Sequence, residues 1–396
     1  MTPEHHSHGR GGFTFHDSAT SARAARYVWI SVGVVALLTL IGLVALWPGD
    51  GRENTIDPAL LTDEAVEATV QFVTIGPCAG TTTADAIDCH IIEFHIDEGP
   101  SAGNRAVIEQ SVGGSSIPVP DPGDGILVNE VQLGDGSTSF TFFDYQRSTP
   151  MLLLLLLFVV AVILLGRGRG LGALGGLAAS LFVLVAFMLP SLLDGNPPLT
   201  VALVGASVIA FIALYLAHGF NVASSVALLG TFASLALTGL LAWVYVGAAK
   251  FTGFTDDSTF FLDALGTGID ARGILLAGII IGSLGVLDDV TVTQVSAVWE
   301  LRNSRPDATA GELYEAAVRI GRDHISSAVN TLFLAYAGAA LPLLLLFSEA
   351  NQSFSSIATR EIVAAEIVRA LVGSIGLIAS VPITTGLAAR VLTTRR

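Results

Sequence analysis

The chain has 396 residues, of which 52% are hydrophobic and only 13% charged, and its formal net charge is −15 at pH 7. A soluble globular chain carries about 25% charged residues, so this one lacks the polar surface to dissolve. Half of the Asp and Glu residues fall between Asp50 and Asp144, while arginines gather near the ends of apolar runs, a balance that gives nucleic acid no basic footprint.

Residues 1–26 are polar, with His5, His6, His8 and His16 irregularly spaced among Gly and Ser, and read as a disordered tail with no metal site. The apolar run from Tyr27 to Trp47 is about 21 residues, enough to cross a bilayer at about 1.5 Å per residue. It has no small-residue cleavage site and ends in Trp47-Pro48, which suits an interfacial anchor better than a signal peptide. Residues 48–149 change character. Val66 to Val73, His90 to Ile96 and Ser139 to Phe143 alternate, and Gly113-Gly114, Asp121 to Gly125 and Gly134 to Gly136 punctuate them. Short alternating runs between turn signals predict a small all-β domain, a barrel or a sandwich. Its Cys78 and Cys89 are the only cysteines. In a domain outside the cell they are expected to form a disulfide.

After Pro150 the apolar runs return, and residues 150–396 read as a seven-helix membrane domain. Spans are expected near 151–165, 171–190, 199–217, 221–247, 273–298, 324–347 and 362–389, for about eight with the first. The stretch from Phe251 to Ala271, with Asp256, Asp257, Asp263 and Asp270, reads as an amphipathic surface segment. Arginine bias sets the orientation. With both termini cytoplasmic, the inner segments hold Arg23, Arg26, Arg167, Arg169, Arg302, Arg305, Arg319, Arg322 and Arg390 among others. The short outer loops then hold Arg147, Lys250, Arg272 and Arg360, and the β domain falls outside the cell.

The most informative segment is GIIIGSLGVLDDVTVTQVSAVWE, from Gly278 to Glu300. On a helix, Gly278, Gly282, Gly285, Asp289, Thr293, Ser296 and Glu300 share one face. The glycines would let a neighbouring helix approach closely, and below them runs a polar ladder. Asp288 stands about 100° round from Asp289. Carboxylates at mid-membrane depth are costly and point to an ion or proton path, against a pair that only anchors helices. Thr291 and Gln294 are candidates to orient the carboxyls, and Asn330 is a candidate partner from the next span. Around that span, Arg319, Arg322, Asp323 and His324 form a supporting polar group, with Arg322 set to pair with Glu300 or Asp323. Glu366 and Arg369, three residues apart, can neutralise one another inside the last span. His218-Gly219-Phe220-Asn221 reads as a tight turn in which a structural histidine is the plainer reading. No phosphate loop or nucleophile elbow is present in the sequence, and no G-x-G-x-x-G stands in the strand-to-helix setting of a dinucleotide fingerprint.

The runs LGVLDDVTVTQVSAVWEL (Leu284–Leu301) and GRDHISSAVNTLFLAYAGAALPLLLL (Gly321–Leu346) resemble the YibE/F family of bacterial membrane proteins. FDYQR (Phe143–Arg147), LYLAHG (Leu214–Gly219) and GSIGLIASVPITT (Gly373–Thr385) are similar to it as well, so the resemblance runs from about Val66 to Thr385. It implies a multipass protein of the bacterial cell membrane and no particular reaction. A weaker likeness joins the Asp-bearing helix and its successor to resistance–nodulation–division transporters and the SecD/SecF proteins, a likeness of fold rather than of function. The expectation is a polytopic helical bundle with an extracellular β domain that acts as an ion- or proton-coupled transporter or export helper. It is not itself an enzyme and needs no cofactor. The alternative is a scaffold whose β domain recruits an envelope partner. Beyond the lipid bilayer, a second copy or an envelope protein is the expected partner.

Overall fold

A computed structural model describes residues 20–49, 65–78, 88–113, 118–133, 137–255, 259–260, 268, 270–349 and 353–394. The histidines of the tail and Asp256, Asp257 and Asp263 lie outside the described residues. The chain divides into two units, one of Ile56–Leu164 and one of Met1–Thr55 with Leu165–Arg396.

In the first unit the alternating runs form five antiparallel strands: β1 (Val66–Pro77), β2 (Asp88–Ile96), β3 (Arg105–Ser111), β4 (Gly125–Gln132) and β5 (Thr138–Tyr145), in the order β3-β2-β1-β4-β5. One face is buried, and Val66, Ala68, Val70, Ile92, Phe94, Ile96, Ile126 and Val128 form its core. A register shift against β2 between Val70 and Phe72 inserts a bulge, after which Phe72 points outward beside Glu93. One extra residue turns every later side chain to the other face. The edge strands β3 and β5 approach one another. No ladder joins them among the described residues, and the barrel or sandwich expected from sequence is here a single five-stranded sheet.

Cys78 and Cys89 are joined, tying the end of β1 to the start of β2. Closing a loop of this size is worth about 2–3 kcal/mol. Cys78→Ser is therefore expected to speed amide hydrogen exchange in β1 and β2, measured on the whole protein, and unchanged exchange would refute this role. In the FDYQR segment, Arg147 donates to Asp144 at 2.5 Å and the Tyr145 hydroxyl donates to the carbonyl of Pro118 at 2.6 Å. The Arg147 guanidinium, and then the Tyr145 amide, hold the Asp144 carboxyl below the ordinary carboxylate range. Helix α2 (Ser148–Gly168) follows at once. Its leucines from Leu152 to Leu157 are all exposed, as a lipid-facing surface is.

The second unit contains α1 (Ala22–Ala45), which starts ahead of the expected Tyr27 because the Ser21 hydroxyl caps it, accepting from the Ala24 amide at 3.2 Å. Helix α3 (Gly170–Leu193) follows a helical break at Arg167, where φ is 50°, inside the glycine–arginine hinge. Between Leu184 and Met188, α3 makes a π-helical turn. Helix α4 (Pro198–His218) lies close against it. A Cβ at Gly172 would stand 2.6 Å from the carbonyl oxygen of Leu216, and one at Gly176 would stand 3.2 Å from the Cα of Ala213. Gly219, with φ 80°, ends α4, and Asn221 caps α5 (Val222–Ala248), so the His218–Asn221 turn serves as a helix stop and start.

Asp270 caps α6 (Ala271–Ser304), a helix of 34 residues. Helix α7 (Ala310–Ala339) opens on a Thr309–Glu312 capping box and bends by 59° into α8 (Leu341–Glu349). The short α9 (Phe354–Ala358) leads to α10 (Glu361–Thr393). Among the described residues, seven helices are long and apolar enough to cross a membrane, or eight spans if the bent α7–α8 pair counts as one.

The centre of this unit is the packing of α5, α6 and α10 on one another. Lipid tails are as apolar as leucine, so close fit of small residues holds such helices together. A Cβ at Gly376 of α10 would overlap the Thr238 hydroxyl of α5, and one at Gly230 of α5 would overlap the Thr384 hydroxyl of α10.

Candidate functional site

Asp288 and Asp289 stand near the midpoint of α6, and they face different surroundings. The Asp289 side chain is 75% exposed, and its Oδ2 lies 3.8 Å from Nε2 of His324 in α7. That separation is longer than a direct hydrogen bond and is one that a water molecule can bridge. The Asp288 side chain is partly buried, and its Oδ1 is shielded from solvent without a hydrogen-bond partner. A buried carboxyl oxygen left without a donor is costly. Asp288 lines a cavity of about 390 Å³ between α3, α4 and α6, whose other walls are mainly apolar.

The glycine face of α6 does not receive a neighbouring backbone, contrary to expectation. The position of a Cβ on Gly285 has nothing within 4 Å. At Gly282 it would meet the Tyr336 hydroxyl at 3.2 Å, and at Gly278 the Arg369 guanidinium at 4.0 Å. The notch thus takes in polar side-chain tips from α7 and α10. Arg369 is paired with Glu366 one turn away on α10, and both are only partly exposed. Below Asp289, Thr293 and Ser296 donate to carbonyl oxygens of their own helix, those of Asp289 and Val292, at 2.8 and 2.9 Å. With their protons so used, these hydroxyls present only acceptor lone pairs to the face.

Several expected contacts are not made. Gln294 does not orient the carboxyls: it is fully buried, and its Oε1 accepts from Thr385 of α10 at 2.9 Å. Thr291 likewise turns to α5, its hydroxyl 2.7 Å from that of Thr231. Asn330 is exposed and hydrogen-bonds to neither aspartate. Glu300, Arg319, Arg322 and Asp323 are exposed, and no ion pair joins Arg322 to Glu300 or Asp323 among the described residues. Sequence reasoning missed the buried hydroxyl seam around Thr231, Thr238, Thr384 and Thr385 and the approach of Tyr336 to Gly282.

A family profile described as YibE/F-like protein matches residues 154–394. The chain belongs to this family. The YibE/F match takes in α6 with both aspartates, His324 and the Glu366–Arg369 pair. It leaves the five-stranded sheet outside, so the similarity of FDYQR lies beyond the matched stretch. No curated protein and no solved structure matches the chain.

Proposed function

We propose that this YibE/F-like protein is a proton-coupled transporter or export helper in which Asp288, Asp289 and His324 exchange the proton. The observation that carries this reading is the approach of the His324 imidazole to Asp289 at mid-helix, beside a second carboxyl whose Oδ1 has no protein donor. Ionisable groups within a membrane span are expensive and by default mark an ion or proton path. An imidazole carries one proton-donating and one proton-accepting nitrogen, so beside a carboxylate it can pass a proton on. Thr293, Ser296 and Glu300 continue the face of α6 below Asp289 as acceptors that water can bridge toward one membrane surface. In the proposed orientation that surface is cytoplasmic and the β sheet lies outside the cell, in keeping with its disulfide.

The test is proton movement in proteoliposomes that hold a trapped pH-sensitive dye. The purified protein should speed the internal pH change after an external pH jump, relative to protein-free vesicles, and an unchanged rate would reject the reading. Orientation is tested separately. Ser137→Cys, in the sheet unit, should react with an impermeant thiol reagent in intact cells, and reaction only after lysis would reverse it.

One observation favours a second reading, a scaffold that recruits an envelope partner. Phe72 and Val107, both paired with Glu93 on the outer face of the sheet, are exposed, and exposed apolar side chains of that kind fit a protein contact. Such a scaffold would leave the vesicle pH changing at the protein-free rate.

A further inference from the structure

We propose that the cavity between α3, α4 and α6 binds a lipophilic cation, an apolar body bearing one positive charge, with the Asp288 carboxylate as its counter-charge. The cavity measures about 390 Å³, and Leu177, Ser180, Leu184, Ala213, Gly285 and Asp288 are among its walls. That size falls in the range of small-molecule sites. Apolar walls exclude a hydrated metal ion, which would lose its water without replacement ligands. Among the described residues no lysine or arginine lines the cavity, so an anion would find no partner there. A neutral apolar occupant would leave the shielded Asp288 Oδ1 as bare as it is now. Ser180 has already given its proton to the carbonyl of Gly176, at 2.8 Å, and faces a ligand only as an acceptor. Both polar side chains in the wall therefore favour positive charge.

A second feature of the wall points the same way. Leu184 begins the π-helical turn of α3, and such turns break the regular ladder and occur often at functional sites. Asp288 is shared with the proton reading, but equilibrium binding at one fixed pH with no gradient is read without it. Proton flux and cation binding can therefore fail separately.

The experiment is equilibrium dialysis of radiolabelled tetraphenylphosphonium against the detergent-purified full chain. Saturable binding of one cation per chain is expected. Asp288→Asn should weaken it at least tenfold, whereas Asp307→Asn, which removes an exposed charge beyond the end of α6, should not. Gly285→Leu, where open space surrounds the added Cβ, should also abolish binding while the protein stays monodisperse. Neutral triphenylphosphine should fail to compete, which keeps the charge requirement testable if Asp288→Asn does not fold. Absence of saturable binding would overturn the proposal. So would equal affinity of Asp288→Asn and the parent, or competition by the neutral compound, either of which would make the cavity a site for apolar chains such as lipid tails.

Discussion

Gly376→Leu is expected to remove the folded protein from the membrane almost completely. The added Cβ would overlap the Thr238 hydroxyl and stand 3.2 Å from the Thr238 Cβ. Thr238 cannot swing aside: it is fully buried, β-branched and bonded to the carbonyl of Ser234 at 2.8 Å. α10 must then move off α5, and it also packs on α6, so the whole centre is disturbed. Overpacking costs about 1–3 kcal/mol and occasionally more, and an overlap with an immovable side chain belongs at the upper end, a large share of the stability of most domains. Membrane abundance and size-exclusion profiles of a fluorescent fusion provide the measurement. Gly285→Leu is the matched control, since nothing stands within 4 Å of that position. Equal abundance of the two variants would contradict the packing described for α5 and α10.

Proton movement should respond as sharply to a change at Asp289. Asp289→Asn keeps the size and hydrogen-bonding capacity of the side chain and removes its charge. Its exposure means that little packing depends on it, so abundance should stay normal. The rate of vesicle pH change should fall at least tenfold toward the protein-free rate. His324→Gln should do the same, and the double variant should be no slower than either single one. Groups that act as one unit give such non-additive losses. Independent losses that multiply in the double variant would separate the two residues, and full activity in all three would leave the scaffold reading ahead.

The spans are legible in the sequence because few structures other than a bilayer crossing call for an unbroken apolar run of that length. The strands are legible because alternation between turn residues is specific. The disulfide follows from there being only two cysteines, both in one small domain. Some features leave weaker traces. The bulge after Val70 moves Phe72 to the outer face, and no residue there announces it. The bend of α7 into α8 has Pro342 as its one signal, and within a long apolar run proline can also be absorbed, as Pro382 is in α10. A helical projection correctly groups Gly278, Gly282, Gly285 and Asp289 but cannot say what faces them. The glycines receive the tips of Arg369 and Tyr336 rather than a helix backbone. Gln294 resembles a companion of the aspartates because it is near them in sequence. Its side chain instead leaves the helix toward Thr385.

Proton exchange at α6 requires its carboxyls to change protonation in the folded protein. Infrared difference spectroscopy between acidic and alkaline buffer, on the protein reconstituted in lipid, observes that change itself. Beside the band of the chain's other carboxyls, a protonated-carboxyl component is expected in the difference spectrum that is diminished by Asp288→Asn and by Asp289→Asn and missing from the double variant. Superimposable spectra of the parent and the double variant would show that neither aspartate titrates, and the proton-coupled reading would fall.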